Sequence, residues 1–209
     1  MSVLEKLASS LGRRDDIPNQ QLARELAESG DADAIRELIE NLSNKDRNIQ
    51  SDCIKVLYEI GYIRPELIAG YVDDFLGLLK SKNNRLVWGG MIALSTIAEL
   101  QADKLYRHLD EIKSAIDKGS VITVDRGIKT LSIIASRSQE YRQSIFPYLL
   151  QHLRSCRPKD FPQRAEYVLA AVDATNKDAF LEVIQKRIPE MKPSQVKRLK
   201  RVLASVEKL

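Results

Sequence analysis

A chain of 209 residues that is 44% apolar and 30% charged can bury one sizeable core and stay in solution, which excludes a disordered or fibrous protein. The net charge of +4 is uneven: Lys186 to Arg201 holds seven basic residues against Glu190 alone, so the remainder sums to −2, unlike a uniformly basic nucleic-acid binder. No apolar run reaches the roughly 18 residues of a membrane span, and the two cysteines, Cys53 and Cys156, read as reduced thiols of an intracellular, cytoplasmic protein.

In chain order, Val3, Leu4, Leu7 and Leu11 share one helical stripe. The spacing predicts a docked helix near 2–11 and another near 18–29, so that residues 1–30 form an N-terminal cap. From residue 31 a repeat takes over. Leu38 and Leu42 recur 37 residues on as Phe75 and Leu79, then as Ile112 and Ile116, then as Leu149 and Leu153, and after a step of 35 as Ile184 and Ile188. Ile35 leads a parallel series through Val72, Leu109 and Phe146 to Leu181. Each trio has the i, i+3, i+7 spacing of one helix face.

A second series runs between these: Leu57 and Ile60, Leu94 and Ile97, Leu131 and Ile134, Leu169 and Val172, Leu203 and Val206. Each period therefore holds two amphipathic helices, A then B, and five such hairpins fill 31–209. Asp46, Asn83 and Ser120 stand where the B helices need an N-cap. Pro65 stands at a first helical position, and Pro189 and Pro193 bracket the last turn. Pro147 falls inside the fourth A helix and predicts a kink or break there. Cys53, Gly90, Gly127 and Ala165 are equivalent and small, as a close helix–helix approach requires. One hairpin cannot cover its own apolar stripe, so the units stack.

The B helices resemble the HEAT pattern: an apolar residue (Ile49, Leu86, Thr123, Phe161), then small positions (Cys53/Val56, Gly90/Ala93, Gly127/Thr130, Ala165/Val168), then the Leu and Ile positions above. Where that family usually carries Arg, this chain has Gln50, Val87, Val124 and Pro162, so armadillo or another helical-hairpin repeat stays open. The resemblance implies an all-α, right-handed α–α superhelix, a HEAT-like solenoid of about five hairpins (31–209) with N-terminal capping helices, single-domain overall. It also implies a scaffold that binds partners along the surface lined by B helices; fold alone does not fix function.

A helical wheel turns Ile49, Cys53, Val56, Leu57 and Ile60 inward and Ser51, Lys55 and Tyr58 outward. Carried through the repeats, the outward columns read Ser51, Trp88, Asp125, Gln163 and Lys55, Ile92, Lys129, Tyr167, with Asp52, Gly89, Arg126, Arg164 at the edge. Trp88 and Ile92 thus form an apolar centre, joined by Tyr58 and Tyr167 and rimmed by Lys55, Arg126, Lys129 and Arg164, which is the composition of a protein-binding patch. The alternative is that Trp88 packs between adjacent B helices or under a loop. At the basic end, Lys197, Arg198, Lys200 and Arg201 are either the polar outer face a terminal repeat needs or a contact for phosphate or an acidic partner.

No phosphate loop, nucleophile elbow or paired-carboxylate motif appears. His152 and Cys156 share a helix face but supply two ligands where a zinc site needs four, and His108 reads as solvated beside Asp110 and Glu111. No metal, cofactor, small-molecule substrate or membrane contact is expected. Trp88, Asp125 and Arg126 loosely resemble the concave face of HEAT-like glycosylases that remove alkylated bases, but the second tryptophan of that family is missing. The expected function is a non-enzymatic protein- or peptide-binding scaffold. The alternatives are a nucleic-acid binder, including a DNA glycosylase of that type, and a structural assembly subunit.

Overall fold

Short polar side chains and prolines start the helices. In the computed structural model, which describes residues 2–208, α1 (Ile17–Ser29) carries Pro18 in its first turn and ends at Gly30, whose φ of +68° lets its N–H close on the Leu26 carbonyl. Asp31 caps α2 (Ala32–Glu40), Asp46 caps α3 (Arg47–Ile63), and, after α4 (Val72–Leu78), Asn83 caps α5 (Asn84–Ile97); each accepts from an N–H of the first turn. Next come α6 (Ala102–Arg107), α7 (Leu109–Lys118) and α8 (Val121–Ser136), where Ser120 Oγ accepts from the Thr123 N–H at 3.4 Å. Ser138 caps α9 (Gln139–Ser155), followed by α10 (Phe161–Val168), α11 (Lys177–Arg187) and α12 (Pro193–Val206). No strand occurs among the described residues.

These helices divide into two compact units, one running through Gly127 and one from Ile128. In the first, α3 packs on α1, α2 and α5, and α4 packs on α5. In the second, A helices α9 and α11 meet, and so do B helices α10 and α12. The apolar register explains this pairing. Ile35, Leu38, Val72, Phe75, Ile112 and Ile116 are buried on the A side, as are Leu57, Ile60, Leu94 and Ile97 on the B side. Each such side chain contributes about 1.5–3 kcal/mol on leaving water, far more than helix propensity does.

The small positions sit where helices nearly touch. A Cβ on Gly90 of α5 would lie 2.9 Å from Leu78 Cβ and 3.1 Å from the Phe75 carbonyl oxygen, and one on Gly127 of α8 would lie 2.3 Å from Ile116 Cγ1. Cys53 and Ala165 are fully buried. Consecutive B helices α3 and α5 are as close: a Cβ on Gly61 would be 2.2 Å from Thr96 Oγ1, and one on Gly89 would be 2.7 Å from Ile54 Cγ1.

Two expectations are corrected. The helix expected near 2–11 is a single 3-10 turn over Val3–Lys6. Asn19 and Asp52 side chains take the Ala8 and Ser9 N–H groups, so Val3 and Leu7 dock while Leu11 stays 54% exposed. Pro147 breaks nothing, since α9 runs through it. Pro147 and Gln143, the residue four earlier whose carbonyl loses its helical partner, are both exposed, so that carbonyl is open to solvent.

Candidate functional site

Spacing of three and four along α3 puts Ser51, Lys55, Tyr58 and Tyr62 on one stripe. The close approach of α3 and α5 at Gly61 and Gly89 brings that stripe to Trp88. The Tyr58 and Trp88 ring centroids are 6.2 Å apart, tilted by 53°, and Tyr58 and Tyr62 are also 6.2 Å apart, edge to face at 76°. Lys55 Nζ lies 5.0 Å from the Tyr58 centroid, and Arg126 Cζ of α8 lies 5.8 Å from the Tyr62 centroid. Such aromatic pairs contribute about 0.5–1.5 kcal/mol beyond area burial. Tyr58 is buried, Trp88 half-buried and Tyr62 45% exposed, so the cluster presents a rigid aromatic edge to solvent.

Charge around it is managed locally. Lys55 Nζ donates to Glu59 Oε1 at 2.7 Å and lies 3.3 Å from Asp16 Oδ2. Burial works against the lysine's charge, but its bonds to Glu59 and Tyr58 outweigh that and its pKa rises above the ordinary lysine range. Burial also pushes the Tyr58 hydroxyl pKa up. The N-terminal stretch is laced to the same helix. Asp52 accepts from the Ser9 N–H and from Asn19 Nδ2, both at 2.8 Å, while Asn19 Oδ1 accepts from the Ala8 N–H at 3.0 Å. Glu37 accepts from the Ser2 hydroxyl and from the Val3 N–H.

Of the residues singled out by sequence, the structure brings together Lys55, Tyr58 and Trp88, with Arg126 joined through Tyr62. Ile92 is corrected: it is 6% exposed and belongs to the interior. A wheel drawn for one helix ignores its neighbours, and α5 is flanked by both α3 and α4. Tyr58 is buried for the same reason. Arg164 is also corrected, since at 6% exposure beside Asp160 it is a structural cation of α10 and not a rim charge. Lys129 is half-buried, and Tyr167 is half-buried with its hydroxyl accepting from Gln163 Nε2 at 2.9 Å; both lie in the second unit. Tyr62 was missed, although its place four residues after Tyr58 was the signal. At the basic end Arg198 forks onto Glu166, while Lys197, Lys200 and Arg201 are exposed.

No group of three or more metal-ligating side chains occurs among the described residues. The His152 ring lies 4.7 Å from Tyr148, and Cys156 Sγ is 3.6 Å from the Leu153 carbonyl. His108 Nδ1 is 3.0 Å from Glu111 Oε1. Lys80 first, then His108, hold the Glu111 carboxyl below its ordinary pKa. Among the described residues no helix is long and apolar enough to cross a membrane.

No family model and no curated protein matches this chain. Solved structures do. A computationally designed armadillo repeat protein for modular peptide recognition is 16% identical, with 97% of each chain covered and a TM-score of 0.67. A designed armadillo repeat protein in complex with the peptide (KR)4 is 17% identical over 98% of this chain and 100% of that one, with a TM-score of 0.64. A Kap121p mutant is 17% identical over 90% of this chain and 21% of that one, with a TM-score of 0.65. At these identities the likeness is one of fold, and the fold of this chain is the all-α helical repeat of the armadillo/HEAT type.

Proposed function

We propose that this chain is a non-enzymatic, intracellular interaction scaffold that binds a protein segment on the B-helix surface of its first unit. The observation that carries the reading is the Tyr58–Trp88–Tyr62 cluster, solvent-facing at Trp88 and Tyr62 and flanked by Lys55 and Arg126. Large rigid aromatics beside cations make interface anchors because they bury much area at little conformational cost. Peptide is the ligand of the designed armadillo protein solved with (KR)4, and Kap121p has been solved bound to Pho4p; these complexes support a polypeptide partner.

Selection of binders from a random peptide library on the full chain tests the reading. Selected peptides are expected to lose about tenfold or more in affinity with Trp88→Ala or Tyr62→Ala and to ignore Lys200→Glu. Binders indifferent to both aromatic substitutions overturn it.

A second reading, phosphate contact by a nucleic acid, has one observation in its favour: the exposed Lys197, Lys200 and Arg201 on α12. It requires DNA affinity that falls steeply with added salt. Absence of binding at low salt removes it.

A further inference from the structure

Next to the aromatic cluster a cavity of about 500 Å³ opens between the N-terminal stretch and the first turns of α3 and α5, with Ser9, Arg14, Asn48, Ser51 and Arg85 in its wall. Its charges are not evenly answered. The three carboxylates of the wall are engaged: Asp15 by Arg13 and the Ile17 N–H, Asp16 by Lys55, and Asp52 by Ser9 and Asn19. Among the described residues no carboxylate engages Arg14 or Arg85, and both are exposed. The Ser9 hydroxyl is buried with no hydrogen-bond partner. The wall thus holds two guanidiniums that no carboxylate engages against one carboxylate, Asp52, held only by neutral donors, and the excess cation suits an oxyanion.

Cavity and cluster share one face. Arg85 precedes Trp88 by three residues on α5, and Ser51 precedes Tyr62 by eleven on α3. At about 1.5 Å per residue these spans are about 4.5 Å and about 16.5 Å, so the far end of the cluster, at Tyr62, is about five extended residues from the cavity.

We infer that the segment bound here is acidic at one end: an extended peptide whose carboxylate or phosphate enters the Arg14–Arg85 cavity while an apolar side chain about five residues away packs on Tyr62 and Trp88. The inference rests on the peptide-binding reading above and adds a charge and a direction to it. The chemistry is opposite in sign to the (KR)4 peptide held by the designed armadillo protein.

The test titrates the full chain with three peptides and follows Trp88, the sole tryptophan, by its emission. The first is Glu-Gly-Ser-Gly-Ser-Leu, capped at both ends; the second has Lys, and the third phosphoserine, in place of Glu. The Glu and phosphoserine peptides are expected to bind about tenfold or more tightly than the Lys peptide. Arg85→Ala with Arg14→Ala is expected to erase that preference while leaving the thermal melt unchanged, because both side chains are exposed. A phosphoserine peptide tighter than the Glu peptide identifies a phosphorylated partner, and equal affinities identify a plain acidic one; both support the inference. Equal or tighter binding of the Lys peptide overturns the charge assignment and leaves peptide binding intact. No response of Trp88 to any of the three overturns both.

Discussion

The two units lean on different chemistry to hold their helices, although the first also has an arginine bridge, Arg64 Nη1 donating to the Ala27 carbonyl at 2.9 Å. In the first, glycines let helices approach until backbone and side chain touch: Gly90 on Leu78, Gly127 on Ile116, Gly61 on Thr96 and Gly89 on Ile54. In the second, guanidiniums bridge what apolar packing leaves open. Arg187, buried at the end of α11, donates to the carbonyls of Leu153, Arg154 and Cys156 at 2.6, 2.9 and 2.7 Å and lies 4.9 Å from the Phe161 ring. Arg142 pairs with Asp173 at 2.9 Å, and Arg198 forks onto Glu166. The repeat's own apolar positions are thinner there, with Leu169, Leu181, Ile188 and Leu203 half-exposed. One architecture therefore tolerates two solutions to the same problem, the unsatisfied helix ends and the gaps between ridges. The close-packed solution lets the B-helix aromatics of the first unit form a shared edge.

The largest expected effect breaks the arginine solution. Arg187→Met keeps roughly the volume and removes all three bonds to the carbonyls at the end of α9, two of them buried, at a cost of about 3–4 kcal/mol. Urea unfolding of the full chain measures it. A loss below about 1 kcal/mol, the net worth of one ordinary hydrogen bond, would mean that water caps α9 as well as arginine does.

The glycine solution is tested by a pair of substitutions that look alike in sequence. Gly127→Ala adds a methyl that would stand 2.3 Å from Ile116 Cγ1, so overpacking of about 1–3 kcal/mol outweighs a helix-propensity gain of about 1 kcal/mol. Gly77→Ala in α4 meets nothing within 4 Å and collects only the gain, about 0.5–1 kcal/mol of stabilisation. Opposite signs in the two melts are expected. Equal signs would show that the contacts at Gly127 relax at little cost.

Much of this was legible in the residues. The apolar register, 37 residues through the fourth A helix and 34 to 38 after it, placed the A and B helices because burial follows it at most positions, and the caps at Asp46, Asn83 and Ser120 lie where short oxygen-bearing side chains precede an apolar stripe. Trp88, turned outward by the wheel, is half-buried, while Tyr58, turned outward by the same wheel, is buried. What was not legible depends on a second helix. The burial of Ile92 follows from α5 being flanked by α3 and α4, and that of Arg164 from α10 being packed against α9 and α12. The 3-10 turn over Val3–Lys6 follows from side chains 11 and 43 residues further along that take the N–H groups a longer helix would have used. Periodicity reports one helix's own faces and is silent on which of them a neighbour covers.

The smallest effect compares the units through one thiol each. Cys53 is fully buried in the first unit, and burial, with Asp52 and Glu37 adding to it, pushes its pKa from the ordinary value near 9 to about 12. Cys156 in the second unit is also raised by burial, but Arg164 and Arg187 pull against that. Since the thiolate is the reactive form, alkylation at pH 8 is expected to be slow at both and faster at Cys156, as read by peptide mass analysis over time. The same shift gives a sign for stability. The neutral Cys53 thiol favours the folded state fully below the unfolded value near 9, and that contribution declines as pH climbs from there toward about 12. If Cys53 is alkylated first, the glycine-packed unit opens more readily than the arginine-bridged one, and the ranking of the two solutions reverses.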